Sequence, residues 1–228
     1  MIEVDAVQRK VVRTLVGAQI LGGIGLGATV SVGALLAAQV SGSAAWSGMA
    51  ATMSTLGAAL LAVPLARAAQ ARGRRVALAS GSVIAALGAL LAVGAAALGY
   101  FPLLLVALAL AGASSATNLQ ARFAATDLAN PAHRARQLSL VVWSTTIGAV
   151  LGPNLIGPGE MIGGAIGLPT LTGPFVFTVS AQLVAMAVYF VGLRPDPLLT
   201  AMERAPGASG IPPRHRFATL RVNAGARY

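Results

Sequence analysis

Arg67-Ala68-Ala69-Gln70-Ala71-Arg72-Gly73-Arg74-Arg75 sets four arginines between two apolar runs, Ala44 to Leu65 and Val76 to Leu98. Each run approaches or exceeds the ~20 residues that a helix needs to cross ~30 Å of hydrocarbon. The stretch therefore reads as a short connection between two membrane spans. Lys and Arg gather near span ends on the cytoplasmic side of a membrane, so the connection is expected there. The whole chain agrees: 56% of its residues are hydrophobic and 10% charged, against roughly 25% charged in a soluble domain. The expected fold class is all-α, a polytopic membrane protein with six transmembrane helices.

Working outward, the spans fall at about 15–38, 44–65, 76–98, 101–119, 138–156 and 174–193, giving a transmembrane domain over 1–193. Span one carries Gly23 and Gly27 at the small-xxx-small spacing that lets two helix backbones approach. Arg9, Lys10 and Arg13 precede span one, Arg122, Arg134 and Arg136 fill the connection between spans four and five, and the remaining arginines begin at Arg194. With the opening loop these account for all 16 Lys and Arg. Glu160 is the only charged residue on the opposite side. Both termini are therefore expected in the cytoplasm, and the net charge of +10 is read as topology and contact with anionic membrane lipid, with no nucleic-acid partner. The N-terminus shows no A-x-A-like cleavage site, so span one is expected to serve as its own insertion signal.

Several spans carry polar side chains that a simple anchor does not need. Gln19, Asn118 and Asn154 are the strongest, because an amide has donors and acceptors that hydrocarbon cannot satisfy. Each is a candidate for lining a cavity or for bridging helices, with the two roles evenly weighted. For the serines and threonines of spans one, four and five, a bond to a carbonyl one turn back is the simpler role. The glycine-rich stretch from Gly157 to Pro169 is expected to be a loop, with Glu160 either solvated or titrating at the outer mouth. Residues 194–228, basic and Pro-rich, are expected to form a disordered cytoplasmic tail or linker. The chain has no cysteine, and its two histidines, His133 and His215, lie in polar segments. No metal centre, cofactor or catalytic constellation is expected, and the chain is not read as an enzyme.

Two motifs resemble the major facilitator superfamily (MFS) of secondary transporters. The family's loop signature between spans two and three reads approximately G-x-x-x-D-R-x-G-R-R. Gly73, Arg74 and Arg75 match its last three positions, while Ala66, Gln70 and Ala71 depart from the first glycine, the aspartate and the first arginine. In the family that aspartate belongs to a cytoplasmic charge latch. Here Asp127 is a candidate substitute that pairs with Arg74 or Arg75, the alternative being that it neutralises Arg122, Arg134 and Arg136. In span five, Gly148-x-x-x-Gly152-Pro153-x-x-Ile156-Gly157 is similar to the family's antiporter motif G-x-x-x-G-P-x-x-G-G, with Ile156 at the penultimate glycine.

The resemblance implies the N-terminal half of a twelve-helix fold, built of 3+3 inverted repeats, in a small-molecule transporter whose span-five motif points to export. A half pathway implies a homodimer or a separately encoded C-terminal half as partner; the substrate is unknown. The alternative is a non-transporting remnant or scaffold. The bias to alanine, glycine and arginine suggests a GC-rich bacterium, and hence its plasma membrane.

Overall fold

The computed structural model describes residues 2–204, which form a bundle of antiparallel helices. The first helix, α1 (Ile2–Ser41), is 40 residues long. At ~1.5 Å per residue it is about 60 Å long, twice the hydrocarbon thickness, so it begins well outside the apolar layer. After a single 3-10 turn at Ala44–Trp46 come α2 (Met49–Arg72) and α3 (Arg74–Leu98), joined only by Gly73. The fourth span is made of α4 (Phe101–Ala111) and α5 (Ala113–Ala124), with Gly112 between them.

The fifth span is α6 (Arg134–Asn154), followed by α7 (Ile156–Ala165) at a bend of 53°. Pro153 lies in the last turn before that bend, where it removes a backbone donor from the helical ladder. The sixth span is α8 (Gly173–Gly192), and α9 (Pro197–Arg204) is a short helix beyond it. Five helical segments are long and apolar enough to cross a membrane, and α6 with α7 makes a sixth if the bent pair is one span.

Two expectations need correction. The stretch after span five, expected as a loop, is helical over Ile156–Ala165 and leaves the helix only from Ile166 to Pro169. Gly159 and Gly163 lie one turn apart and both press on Gly173 at the start of α8. Packing of these small residues on a neighbouring helix outweighs their poor helix propensity. The tail also begins as structure, because Pro197–Arg204 is helical. Residues 205–228, including His215, lie outside the described residues.

The packing inverts the pattern of a water-soluble bundle. The two buried clusters are dominated by alanine, with Leu15, Leu78 and Tyr189 in one and Leu36, Leu104 and Phe175 in the other. Large apolar side chains point outward: Leu98 is 73% exposed, Trp143 68%, Val191 68% and Leu60 65%. Lipid is as apolar as leucine, so helices associate through close contact of small residues while bulky ones face the acyl chains.

Gly23 and Gly27 of α1 meet Gly148 and Gly152 of α6. A Cβ on Gly148 would lie 2.8 Å from the Gly23 Cα, and one on Gly152 2.8 Å from the Gly27 Cα. The two glycine motifs, 125 residues apart, are thus halves of one contact. A counterpart joins spans two and four, where Gly57 abuts the Ala109 backbone and Gly112 abuts Ser54 and Ala58.

The principal packed pairs are α1 with α6 and α8, α3 with α8 and α4, and α2 with α4 and α5. Exchanging span one for four, two for five and three for six carries these pairs into one another. That is the pattern of two related three-span units packed face to face.

Candidate functional site at the basic end

The site begins at Gly73. Its φ of 90° is open to glycine at little cost and strained for other residues. A side chain there would also collide with the Asp196 carboxylate. This one residue ends α2 and starts α3, turning the chain back so that Arg74 and Arg75 stand on the first turn of α3.

Arg74 is engaged through all three guanidinium nitrogens. Its Nε donates to Asp127 Oδ2 at 2.9 Å, Nη2 to Asp127 Oδ1 at 3.3 Å, and Nη1 to Gln120 Oε1 at 2.7 Å. Both charged side chains are 12% exposed, and the guanidinium lies 5.8 Å from the Phe123 ring centre. The fork geometry of arginine matches a carboxylate with two parallel bonds, and partial burial shields the pair from screening. It joins the start of span three to the end of span four. Arg122, Arg134 and Arg136 make no ion pair with Asp127 among the described residues.

Arg75 is placed differently. Its guanidinium lies 4.9 Å from the Phe190 ring centre, and that of Arg194 lies 5.4 Å from the same ring. Its backbone N–H donates to Asp196 Oδ2 at 2.8 Å, while Asp196 Oδ1 accepts from Leu198 N and Leu199 N at 3.0 and 3.3 Å. One carboxylate therefore caps the first turns of both α3 and α9, each of which has N–H groups without intrahelical partners. Gly73, at the cap position of α3, has no side chain to do this.

Further bonds tie the basic segments together. Gln8 Nε2 donates to Ala125 O at 2.8 Å and Gln137 Oε1 at 2.7 Å. Lys10 Nζ donates to Arg194 O at 2.9 Å. The described Lys and Arg residues thus gather at one end of the bundle. At the other end Glu160 is neither solvated nor free, because its carboxylate accepts from Leu171 N at 3.0 Å and Gly173 N at 3.1 Å and so caps α8.

Two of the three amides, Gln19 and Asn118, border the same glycine, Gly22. Gln19 is fully buried, donating through Nε2 to Thr145 Oγ1 at 3.1 Å and accepting from the Tyr189 hydroxyl at 3.1 Å, which makes it a bridge among α1, α6 and α8. Asn118 is buried beside Gly22. Asn154 is exposed and bonds back to Val150 O at 2.7 Å. Of the span-five motif, Gly148 and Gly152 make the close contact with α1, Pro153 is exposed ahead of the bend, and Gly157 has nothing within 4 Å of its Cβ position.

Sequence reasoning missed Asp196, Gln120 and Phe190. A signal for Asp196 was present: an aspartate before Pro197 at the first helical position is a helix start, masked by the proline-rich composition around it. Gln120 and Phe190 have no local signature, since only tertiary packing brings them to the arginines.

No protein-family model matches the chain, and no solved structure matches it. Two curated relatives from Bacillus subtilis (strain 168) do. The uncharacterized MFS-type transporter YddS is 42% identical over 193 residues, covering 85% of this chain and 44% of its own length. The uncharacterized MFS-type transporter YdeG is 45% identical over 183 residues, 80% of this chain and 43% of its own length. The chain therefore spans a little under half the length of the curated relatives it matches. With a helical bundle of membrane-crossing length and an identity this high over most of its residues, the chain is similar to a little under half of two MFS-type transporters.

Proposed function

We propose that the chain is the N-terminal six-span half of a secondary transporter for small molecules in the bacterial plasma membrane, with its basic end in the cytoplasm. What carries the reading is the packing of two related three-span units in a chain akin to MFS-type transporters. Such a unit supplies one side of an alternating-access pathway. A second six-span unit supplies the other.

The Arg74–Asp127–Gln120 cluster acts as the cytoplasmic latch, holding the ends of spans three and four together. No Asp, Glu, Lys, Arg or His sits deep in a span, which suits a neutral or amphipathic substrate. The glycine-proline segment of span five supports export.

The test is uptake of a panel of labelled neutral and amphipathic compounds into vesicles holding this chain alone, or this chain with the second half of a relative. Substrate movement above empty vesicles in either arm, reduced by Asp127→Ala, is expected. No movement in both arms identifies a non-transporting scaffold.

A further inference from the structure

At the basic end, the starts of α1 and α6 line a half-open pocket of about 500 Å³ that includes no residue of the Arg74–Asp127–Gln120 cluster. Arg9 and Arg13 come from α1, His133 and Arg136 from the start of α6, and Asn130 from the connection before it. No carboxylate lines the pocket among the described residues, and none of its three arginines is in an ion pair there. Three like charges around one space repel, and that repulsion is relieved when an anion sits between them. The α6 N-terminus at the same place has no side-chain cap and no acid in its first turn, which leaves the positive end of the helix dipole uncompensated.

The wall is held in place. Gln8 is 3% exposed, and its bond to Gln137 Oε1 spends the oxygen of that amide, leaving the Gln137 NH2 as a donor without a partner among the described residues. The Gln8 Oε1 itself is buried with no partner among the described residues. A phosphate monoester or diester headgroup supplies several acceptor oxygens for the guanidiniums and for the Gln137 NH2. Val12 and Leu140 add an apolar side.

We propose that this pocket binds a phosphate-bearing anion, which is either a soluble phosphate or the headgroup of an anionic lipid. The proposal does not depend on the transport reading.

The full chain is placed in nanodiscs of phosphatidylcholine and titrated with inorganic phosphate and with pyrophosphate. In parallel, discs with graded phosphatidylglycerol are examined by native mass spectrometry for retained lipid. Saturable binding of either soluble probe in neutral discs identifies a soluble ligand, and retention of phosphatidylglycerol alone identifies the lipid.

In either case Arg13→Gln with Arg136→Gln weakens binding by about tenfold or more. Arg67→Gln with Arg72→Gln removes the same charge from exposed positions outside the pocket and leaves binding unchanged. Arg13→Lys with Arg136→Lys restores part of the affinity, which separates loss of charge from loss of fold. Equal weakening by both Gln pairs, or no saturable binding of any probe by the native chain, overturns the proposal.

Discussion

Arg74 joins two spans through a single side chain, so its removal is expected to cost more than an exposed arginine would. Arg74→Ala leaves the buried Gln120 and the largely buried Asp127 without this donor and lowers stability by about 1–3 kcal/mol, read from thermal unfolding in a mild detergent. Because the two charges act as one unit, Arg74→Ala with Asp127→Ala falls short of the sum of the single changes. Additive effects count against the pair. Arg74→Lys keeps the charge and loses the fork, so it lies between native and alanine. Asp196 makes a separate prediction. Asp196→Ala uncaps two helices at once and costs about 1–3 kcal/mol, with Asp196→Asn milder. Indistinguishable melting of native and Asp196→Ala contradicts the double cap.

Among the elements, the contact between α1 and α6 offers a controlled comparison. Gly152→Leu sets a side chain against the Gly27 and Ala28 backbone and forces the helices apart, so loss of the folded bundle in detergent is expected. Gly157→Leu, five residues on with open space at its Cβ position, leaves the bundle intact. If both variants behave alike, the glycine contact is not what holds the spans. Glu160→Ala removes the cap on α8 and frees the turn at Leu171, costing about 1–2 kcal/mol.

Elements were the most legible level of the sequence. Apolar runs located the spans because hydrocarbon demands length and hydropathy from each helix separately. Gly23 with Gly27 and Gly148 with Gly152 each announced a close approach, but neither names its partner, since spacing on one helix carries no information about another. The stretch from Gly157 to Pro169 was misread because propensity was weighed without the α8 surface that receives Gly159 and Gly163. Asp127 was recognisable as a partner for an arginine, and the structure selects Arg74. Gln19 reads as a lone polar group in sequence and becomes a bridge only when Thr145 and Tyr189 arrive.

For the whole molecule, the partition of cations predicts which end faces the cell interior. Cysteines introduced at exposed Gln70 and Ala132 are expected to react with a membrane-impermeant maleimide only after cells are opened, while one at exposed Gly164 reacts in intact cells. Labelling of Gln70→Cys from outside would invert the threading and remove the latch from the cytoplasm. The outward-facing leucines, valines and Trp143 imply that transfer to water leads to aggregation and not to a soluble monomer.

The carboxylate of Asp196 grips α3 and α9 with opposite oxygens, which makes a mechanical linkage of what reads as a spacer. Tension on the polypeptide beyond Arg204 reaches the first turn of α3 within one side chain's length, beside the arginine that holds span four. A displacement of α9 is thus passed through one carboxylate to the residue next to Arg74, the partner of Asp127.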